Sequence, residues 1–201
     1  MSLLLLSLLG GVVAADNVSL VQSMIARPVA AGILAGMVLG DPLLGAEVGL
    51  FLELYLLVAV PAGGGRMPEG GPATVVGVAA AAAFPAPSGI ALGVAGGLIW
   101  GVVAGWTQTR LRVWNGRIVP LPGDDGVEPE RVVAAVRAGV ALDLVRGVAL
   151  AAVGCVLART LTDCNINIFS AIIATYGEHA VDVFYVKDLF GLKIRSPQKQ
   201  R

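Results

Sequence analysis

The sequence RPVAAGILAGMVLGDPLLGAEVGLFLELYLLVAVPAGGGRMPEGGPATVVG occupies residues 27–77. It contains two apolar runs, 28–40 and 43–60, which are joined by a tight Gly40-Asp41-Pro42 turn. At about 1.5 Å per residue the first run is roughly 20 Å long as a helix, well short of the roughly 30 Å hydrocarbon core of a bilayer. Such a segment either spans the membrane incompletely or enters it and returns. Short apolar segments interrupted by Gly and Pro are the sequence feature that best indicates a transport site.

Glycine recurs at every fourth position in several of the apolar segments. In lipid, ridges of small residues let helix backbones approach closely and gain dispersion contacts. One such glycine alone is ordinary packing, but the repeated register predicts close helix pairs. The predicted helix-packing glycines are Gly32, Gly36, Gly40, Gly45, Gly49, Gly93, Gly97, Gly101 and Gly105.

The composition is that of a membrane protein. Hydrophobic residues make up 56% of the chain and the mean hydropathy is +0.81, which favours a lipid environment over water. Residues 70–109 contain no charged side chain, and 89–109 is the clearest transmembrane span. Residues 2–15 predict a first membrane or interfacial helix, and 131–157 predict a long helix. No basic patch large enough for nucleic acid is present in the sequence.

Several features of residues 27–77 occur together in one known family. They are Arg27-Pro28, Gly32, Gly36, Gly40-Asp41, Gly45, Gly49, Glu53, Gly63 to Gly65 and Pro68-Glu69. This pattern resembles the membrane IIC subunit of the mannose/fructose/sorbose family of bacterial sugar phosphotransferase systems. The family often has Pro-Asp in place of Pro68-Glu69, so the carboxylate is kept here but lies one methylene further out.

The resemblance implies an all-α polytopic membrane protein with short or re-entrant Gly-rich helices. A IIC subunit forms the membrane passage together with a IID subunit and binds a hexose-type sugar. Separate IIA and IIB proteins carry phosphoryl groups on histidines, so this chain would perform no phosphoryl transfer and need no cofactor. We also expect a multi-pass location in the inner (cytoplasmic) membrane, contact with lipid, and assembly into homo-oligomers.

Three carboxylates are the candidate substrate-binding residues. Glu53 lies within an apolar run, where an ionisable group costs roughly 2.5–3.5 kcal/mol unless it faces a cavity or a partner. It either accepts hydrogen bonds from sugar hydroxyls or forms a structural bond to Arg27 or Arg66. Glu69 at the Gly-rich turn has the same two interpretations. Asp41 follows a turn glycine, so binding to local backbone N–H groups is the main alternative to sugar binding.

The chain changes character near its C-terminal end, where β-branched and aromatic residues alternate with other residues. Strands are predicted at 167–175 and 180–188, with Tyr176-Gly177-Glu178 as the turn. The run 173–178, the run 181–186, Asp188-Leu189 and Gly191 resemble the ACT domain at the C-terminus of bacterial PII uridylyltransferases. We therefore divide the chain into an IIC-like membrane region, 1–157, and a soluble, partial ACT-like α/β segment, 158–201.

The two halves resemble unrelated proteins, and we expect a truncated or chimeric chain that arose by frameshift, rearrangement or assembly error. An isolated two-stranded hairpin is at best marginally stable, which disfavours a functional fusion. Two rival functions remain, a membrane-tethered ACT-type amino-acid sensor and a non-catalytic membrane scaffold. Cys155 and Cys164 lack the spacing of a metal site, and His179 is interpreted as a solvated turn residue.

Overall fold

The computed structural model describes residues 1–57, 67–119, 128–163, 167–176 and 179–187, with backbone alone from residue 161 onward. Gly63 to Gly65, Arg66, Cys164, Gly177, Glu178 and the predictions made for residues 188–201 lie outside the described residues. The helices within the described part are α1 (Ser2–Val18), α2 (Pro28–Leu39), α3 (Pro42–Leu56), α4 (Gly70–Ala81), α5 (Ser88–Ile118) and α6 (Pro129–Asp163).

Two of these helices are long and apolar enough to cross a membrane. They are α5, with 31 residues, and the part of α6 between Pro129 and Thr160, with 32 residues. At 1.5 Å per residue each is about 45–50 Å long, against roughly 30 Å for a hydrocarbon core. By contrast α2 and α4 have 12 residues each and reach only about 18 Å. The prediction of a helical membrane protein is confirmed, with short and long helices in one bundle.

Helix α4 is the centre of the bundle. Residues 71–78 are all buried, and α4 contacts each of the other five helices. A helix that is apolar around its whole circumference is stable only when other elements surround it. Large apolar side chains on the outer helices instead remain exposed, among them Leu54 on α3, Ile99 on α5 and Val145 on α6. An apolar outer surface of this kind suits a protein whose surroundings are lipid.

Helices α2 and α3 form a hairpin in direct backbone contact. A Cβ on Gly45 would overlap the carbonyl oxygen of Gly32, and a Cβ on Gly32 would overlap that of Gly45. The same holds for Gly49 against the Pro28 carbonyl and for Gly36 against the Asp41 carbonyl. Only hydrogen in place of a side chain permits this approach.

Helix α5 packs on α4 and on the segment before it in a similar way. A Cβ on Gly93 would lie 2.5 Å from the Gly77 carbonyl oxygen, and one on Gly105 would overlap the Met67 carbonyl oxygen. A Cβ on Gly97 would lie 3.0–3.2 Å from atoms of Leu52 and Ala73, and one on Gly101 would lie 3.3–3.4 Å from the Cβ atoms of Ala73 and Pro68. The ridge that repeats every fourth residue on α5 therefore lies at a helix contact.

Gly40 differs from the packing role predicted for it. A Cβ on Gly40 would meet no atom within 4 Å, so this residue does not lie at a close helix contact. Its φ is 87°, and its amide donates to carbonyls of the last turn of α2. Gly40 ends the helix, because the left-handed conformation is open to glycine at little cost.

Helices α1 and α6 lie side by side in opposite directions. Ser2 accepts a hydrogen bond from Arg159 at one end (3.1 Å), and Ser19 donates to Asp143 at the other (2.5 Å). Helix α6 continues without a break through the proposed boundary at residues 157/158 and ends at Asp163. Beyond it, β1 (Asn167–Tyr176) and β2 (His179–Lys187) pair antiparallel, with a register irregularity between Ile168 and Ser170.

Candidate functional site

A cavity of about 430 Å³ opens where the C-terminal ends of α1 and α3 meet the N-terminal ends of α2 and α4. The polar side chains that line it are Asp16, Asn17, Gln22, Arg27 and Glu53. Apolar side chains, including Met24, Leu56, Leu57 and Pro68, form the rest of its wall. The cavity therefore combines charged groups of both signs with apolar surface, which suits a small polar ligand with apolar faces.

Glu53 and Arg27 form an ion pair in this cavity. Glu53 is 14% exposed and Arg27 is 52% exposed, so the pair borders on open space. Glu53 also accepts a hydrogen bond from the Val29 amide (3.3 Å) at the N-terminal end of α2, where the helix dipole favours negative charge. The structural bond to Arg27 is thus present, and Glu53 still lines the cavity.

The loop between α1 and α2 forms one wall of the cavity and is tied to Asp16. The Asp16 carboxylate accepts bonds from the Ser23 amide and hydroxyl, both at 2.8 Å, and from the Ala26 amide at 3.2 Å. Gln22 and Met24 have φ values of 57° and 68°, a conformation that costs a residue with a side chain roughly 1–2 kcal/mol. Sequence reasoning missed this wall, although a buried Asp at the end of an apolar helix was an available signal.

A buried ion cluster lies next to the cavity and consists of Glu69, Asp143 and Arg146. Arg146 Nη1 lies 2.7 Å from Glu69 Oε2, and Nη2 lies 2.9 Å from Glu69 Oε1. Its Nε and Nη2 also donate to Asp143 Oδ1 at 3.0 and 2.7 Å. The side chains of Glu69, Asp143 and Arg146 are only 0%, 2% and 10% exposed. Such a pairing compensates charges that would be costly if buried alone.

The cluster satisfies the whole donor set of Arg146. A guanidinium has five N–H donors, and Arg146 also binds Thr107 Oγ1 at 3.1 Å and the Ala104 carbonyl at 3.3 Å on α5. Asp143 and Arg146 lie three residues apart on one face of α6, which lets them pair directly. The partner across the fold, Glu69, lies 77 positions away in sequence, and spacing could not reveal it.

The three predicted substrate carboxylates are not brought together in this structure. Glu53 lines the cavity, whereas Glu69 faces inward to Arg146, between the cavity-lining Pro68 and Gly70. Asp41 is exposed at the far end of α2, about 18 Å along the helix axis from Pro28. Its Oδ1 accepts a bond from the Leu44 amide (3.0 Å) and caps α3. Any sugar contact of Asp41 or Glu69 stays a prediction.

The described residues include no group of three His, Cys, Asp or Glu side chains arranged to hold a metal ion. Cys155 is a buried free thiol within α6. The lining of the cavity offers charged and hydrogen-bonding side chains. A carboxylate accepts and a guanidinium donates, so the pair matches neighbouring hydroxyl groups on one ligand.

A short part of the chain, at its C-terminal end, is similar to bifunctional uridylyltransferase/uridylyl-removing enzymes. The Ruegeria pomeroyi enzyme is 62% identical over 45 residues, which cover 22% of this chain and 5% of the enzyme. The Azospirillum brasilense enzyme is 58% identical over 43 residues, 21% of this chain and 5% of the enzyme. The chain thus spans about one-twentieth of the length of these curated relatives.

The larger match covers the membrane region. The family model for the PTS system sorbose-specific IIC component matches residues 1–121, which include α1 to α5 and the whole lining of the cavity. Proteins of this family are transport subunits of the inner membrane, and other subunits of the system carry out phosphoryl transfer. On the strength of this match and of the helical bundle around α4, the chain belongs to the family of sorbose-specific IIC components of sugar phosphotransferase systems.

Proposed function

We propose that this chain is the sugar-translocating IIC subunit of a phosphoenolpyruvate-dependent phosphotransferase system and that it binds a hexose-type sugar in the cavity at Glu53. The observation that carries the proposal is the cavity-lining Arg27–Glu53 ion pair at the open end of the undersized α2–α3 hairpin. An ionisable side chain within a membrane region is costly, and where one is present it commonly has a function. Here the Glu53 carboxylate lines the open cavity.

The cavity chemistry supports a sugar as ligand. A hexose presents hydroxyl groups that both donate and accept, together with apolar C–H faces. Glu53 and Asp16 supply acceptors, Arg27 supplies donors, and Asn17 and Gln22 supply both. Leu56, Leu57 and Pro68 provide apolar surface for the C–H faces.

The other two predicted carboxylates, Asp41 and Glu69, are bound to other groups of the protein, which suggests indirect roles for them. We propose that Asp41 acts on the hairpin through its cap on α3, and that Glu69 acts on the cavity through its neighbours Pro68 and Gly70. Direct sugar contact by either residue would require a rearrangement of these bonds.

The proposal includes the other subunits of the system. A IID subunit would complete the passage, and IIA and IIB proteins would deliver the phosphoryl group. The exposed apolar residues of α3 and α5, such as Leu54 and Ile99, are available for lipid, for a IID subunit or for a second copy of the chain. Re-entrant insertion of the short α2–α3 hairpin belongs to the same proposal.

The test is uptake of radiolabelled D-mannose, D-fructose and L-sorbose by cells that co-express this chain with IID, IIA and IIB subunits of the family. Glu53→Gln keeps the shape of the side chain and removes its charge. Because a hydrogen bond to a charged group contributes about 1.5–3 kcal/mol, we expect uptake at low sugar concentration to fall by roughly tenfold or more.

Glu47→Gln is the matched control, since Glu47 lies on the same helix outside the cavity lining. Uptake by this variant should equal that of the wild type. Absence of uptake by a well-inserted wild-type chain would contradict the transport proposal. Equal uptake by Glu53→Gln and wild type would contradict the role of Glu53.

A second candidate, a membrane-tethered amino-acid sensor, is favoured by the C-terminal similarity to uridylyltransferases. It assigns residues 158–201 to a partial ACT unit, to which β1 and β2 would contribute two strands. Calorimetry with glutamine on the purified full chain tests this candidate. Measurable heat of saturable binding would favour it, and a flat titration would count against it.

A further inference from the structure

The buried ion cluster is attached to two walls of the cavity. Glu69 lies between Pro68 and Gly70, which both line the cavity, so its bonds to Arg146 hold this wall. Asp143 Oδ2 accepts a bond from Ser19 Oγ at 2.5 Å, and Ser19 begins the loop that carries Gln22 and Met24. Arg146 thus connects two walls that are far apart in sequence.

The connection is rigid because Arg146 has no free donor. Its guanidinium binds both oxygens of Glu69 in a planar fork, and the same group binds Asp143. A bidentate guanidinium–carboxylate pair fixes orientation as well as distance. The bonds to Thr107 and the Ala104 carbonyl attach the cluster to α5 as well.

The wall that carries Glu69 has one more attachment to α5. The Glu69 amide donates to the Gly101 carbonyl at 2.9 Å, so backbone and side chain of the same residue are both held. The described residues that line the cavity do not include the three charged residues of the cluster. A bound sugar would therefore contact residues that the cluster holds, while the cluster itself stays buried.

We infer that Arg146, Glu69, Asp143 and Ser19 are positioning residues, which set the affinity for sugar by holding the Pro68–Gly70 wall and the 19–24 loop at a fixed separation. This inference rests on the proposed function. Gln22 and Met24 hold a left-handed conformation that is unfavourable in a free chain, so the loop depends on its attachments, which are the bonds to Asp16 and the Ser19–Asp143 bond.

Two variants loosen one wall each and leave no buried cation without a counter-ion. Glu69→Gln removes the charged link to α6, while Arg146 remains neutralised by Asp143 on its own helix. Ser19→Ala removes the link between the loop and Asp143. Glu128→Gln is the matched control, because Glu128 forms an exposed pair with Arg131 outside the cluster.

The first measurement is sugar uptake as a function of concentration, normalised to inserted protein. Residues that influence a site indirectly change its free energy by about 0.5–2 kcal/mol, so we expect Glu69→Gln and Ser19→Ala to raise the half-saturating sugar concentration roughly two- to thirtyfold. The maximal rate per inserted molecule should change less than twofold. A lowered maximal rate with unchanged half-saturation would show a merely structural role and overturn the inference.

The second measurement does not depend on transport. Nitroxide labels at Val21→Cys, in the 19–24 loop, and Met67→Cys, next to the Pro68–Gly70 wall, report the separation of the two walls by pulsed electron resonance in a Cys155→Ala/Cys164→Ser background. We expect Glu69→Gln and Ser19→Ala to broaden the distance distribution and Glu128→Gln to leave it unchanged. Unchanged distributions in both cluster variants would overturn the inference, even where the wild type shows no uptake and the transport proposal itself fails.

Discussion

Asp41 shows how one side chain serves the backbone at a turn. It follows Gly40, whose left-handed conformation ends α2, and its carboxylate binds the Leu44 amide at the start of α3. Pro42 occupies the first turn of α3, where a missing N–H is tolerated. Three successive residues therefore reverse the chain direction with few unsatisfied groups.

Asp41→Ala should lower the stability of the protein by about 1 kcal/mol, because it removes the cap of α3. Asp41→Asn keeps a capping oxygen and should cost only a few tenths of that. The check is the thermal unfolding midpoint of each variant in detergent, together with the sugar concentration for half-maximal uptake. If Asp41 instead binds sugar, Asp41→Asn will weaken uptake strongly while the midpoint stays near that of the wild type.

Arg146, in contrast to Asp41, binds residues of several helices: its guanidinium on α6 contacts Glu69 at the start of α4 and two residues of α5. Its bond to Asp143 is local, because the two residues lie three positions apart on one helix. The link to Glu69 depends on how α4 and α6 pack, and no local pattern encodes it. The same limit applies to Asp16, whose partners in the α1–α2 loop become neighbours only when the loop turns back.

At the scale of helices, close backbone contact distinguishes the α2–α3 and α4–α5 pairs. Glycines lie at every fourth position on α2, α3 and α5, and a Cβ added to them would meet backbone or side-chain atoms of the neighbouring helix or segment. The driving force is dispersion between backbones, since lipid offers no hydrophobic gain for bringing apolar helices together. A single methyl group at such a contact has no free space.

Gly45→Ala should destabilise the α2–α3 hairpin by about 1–3 kcal/mol, because its Cβ would overlap the Gly32 carbonyl oxygen. Gly96→Ala on α5 is the control, since a Cβ there meets no atom within 4 Å. Alanine is the better helix former, so this control should be neutral or stabilising by up to about 1 kcal/mol. Thermal midpoints of the two purified variants test the contrast, and equal midpoints would contradict the packing role.

The molecule as a whole is organised around α4. Helix α4 contacts both helices of the α2–α3 hairpin as well as α1, α5 and α6, and α1 lies along α6. Buried side chains of the core extend from Leu6 to Ala158. The cavity and the ion cluster lie at one end of this bundle, where the N-terminal end of α4 meets its neighbours.

A chain that ends after Asp163 should insert into the membrane as the full chain does and keep its thermal midpoint within about 2 °C. The reason is that the buried core side chains of the described part, from Leu6 to Ala158, all lie within the retained residues. Insertion is measured by membrane fractionation and the midpoint by unfolding in detergent. A large loss of inserted protein would show that residues 164–201 contribute to the stability of the bundle.

The sequence by itself indicated the helical membrane class, the family, the α2–α3 turn and, as one of two alternatives for Glu53, its bond to Arg27. The membrane class follows from local composition and the turn from adjacent residues, whereas the family follows from the resemblance of residues 27–77. Only the tertiary structure decided that Gly40 lies outside the close helix contacts, that Glu69 binds Arg146, and that Asp16 and the 19–27 loop complete the cavity. Each of these depends on contacts between segments distant in sequence, and such contacts form only when the surrounding helices pack and exclude the alternatives.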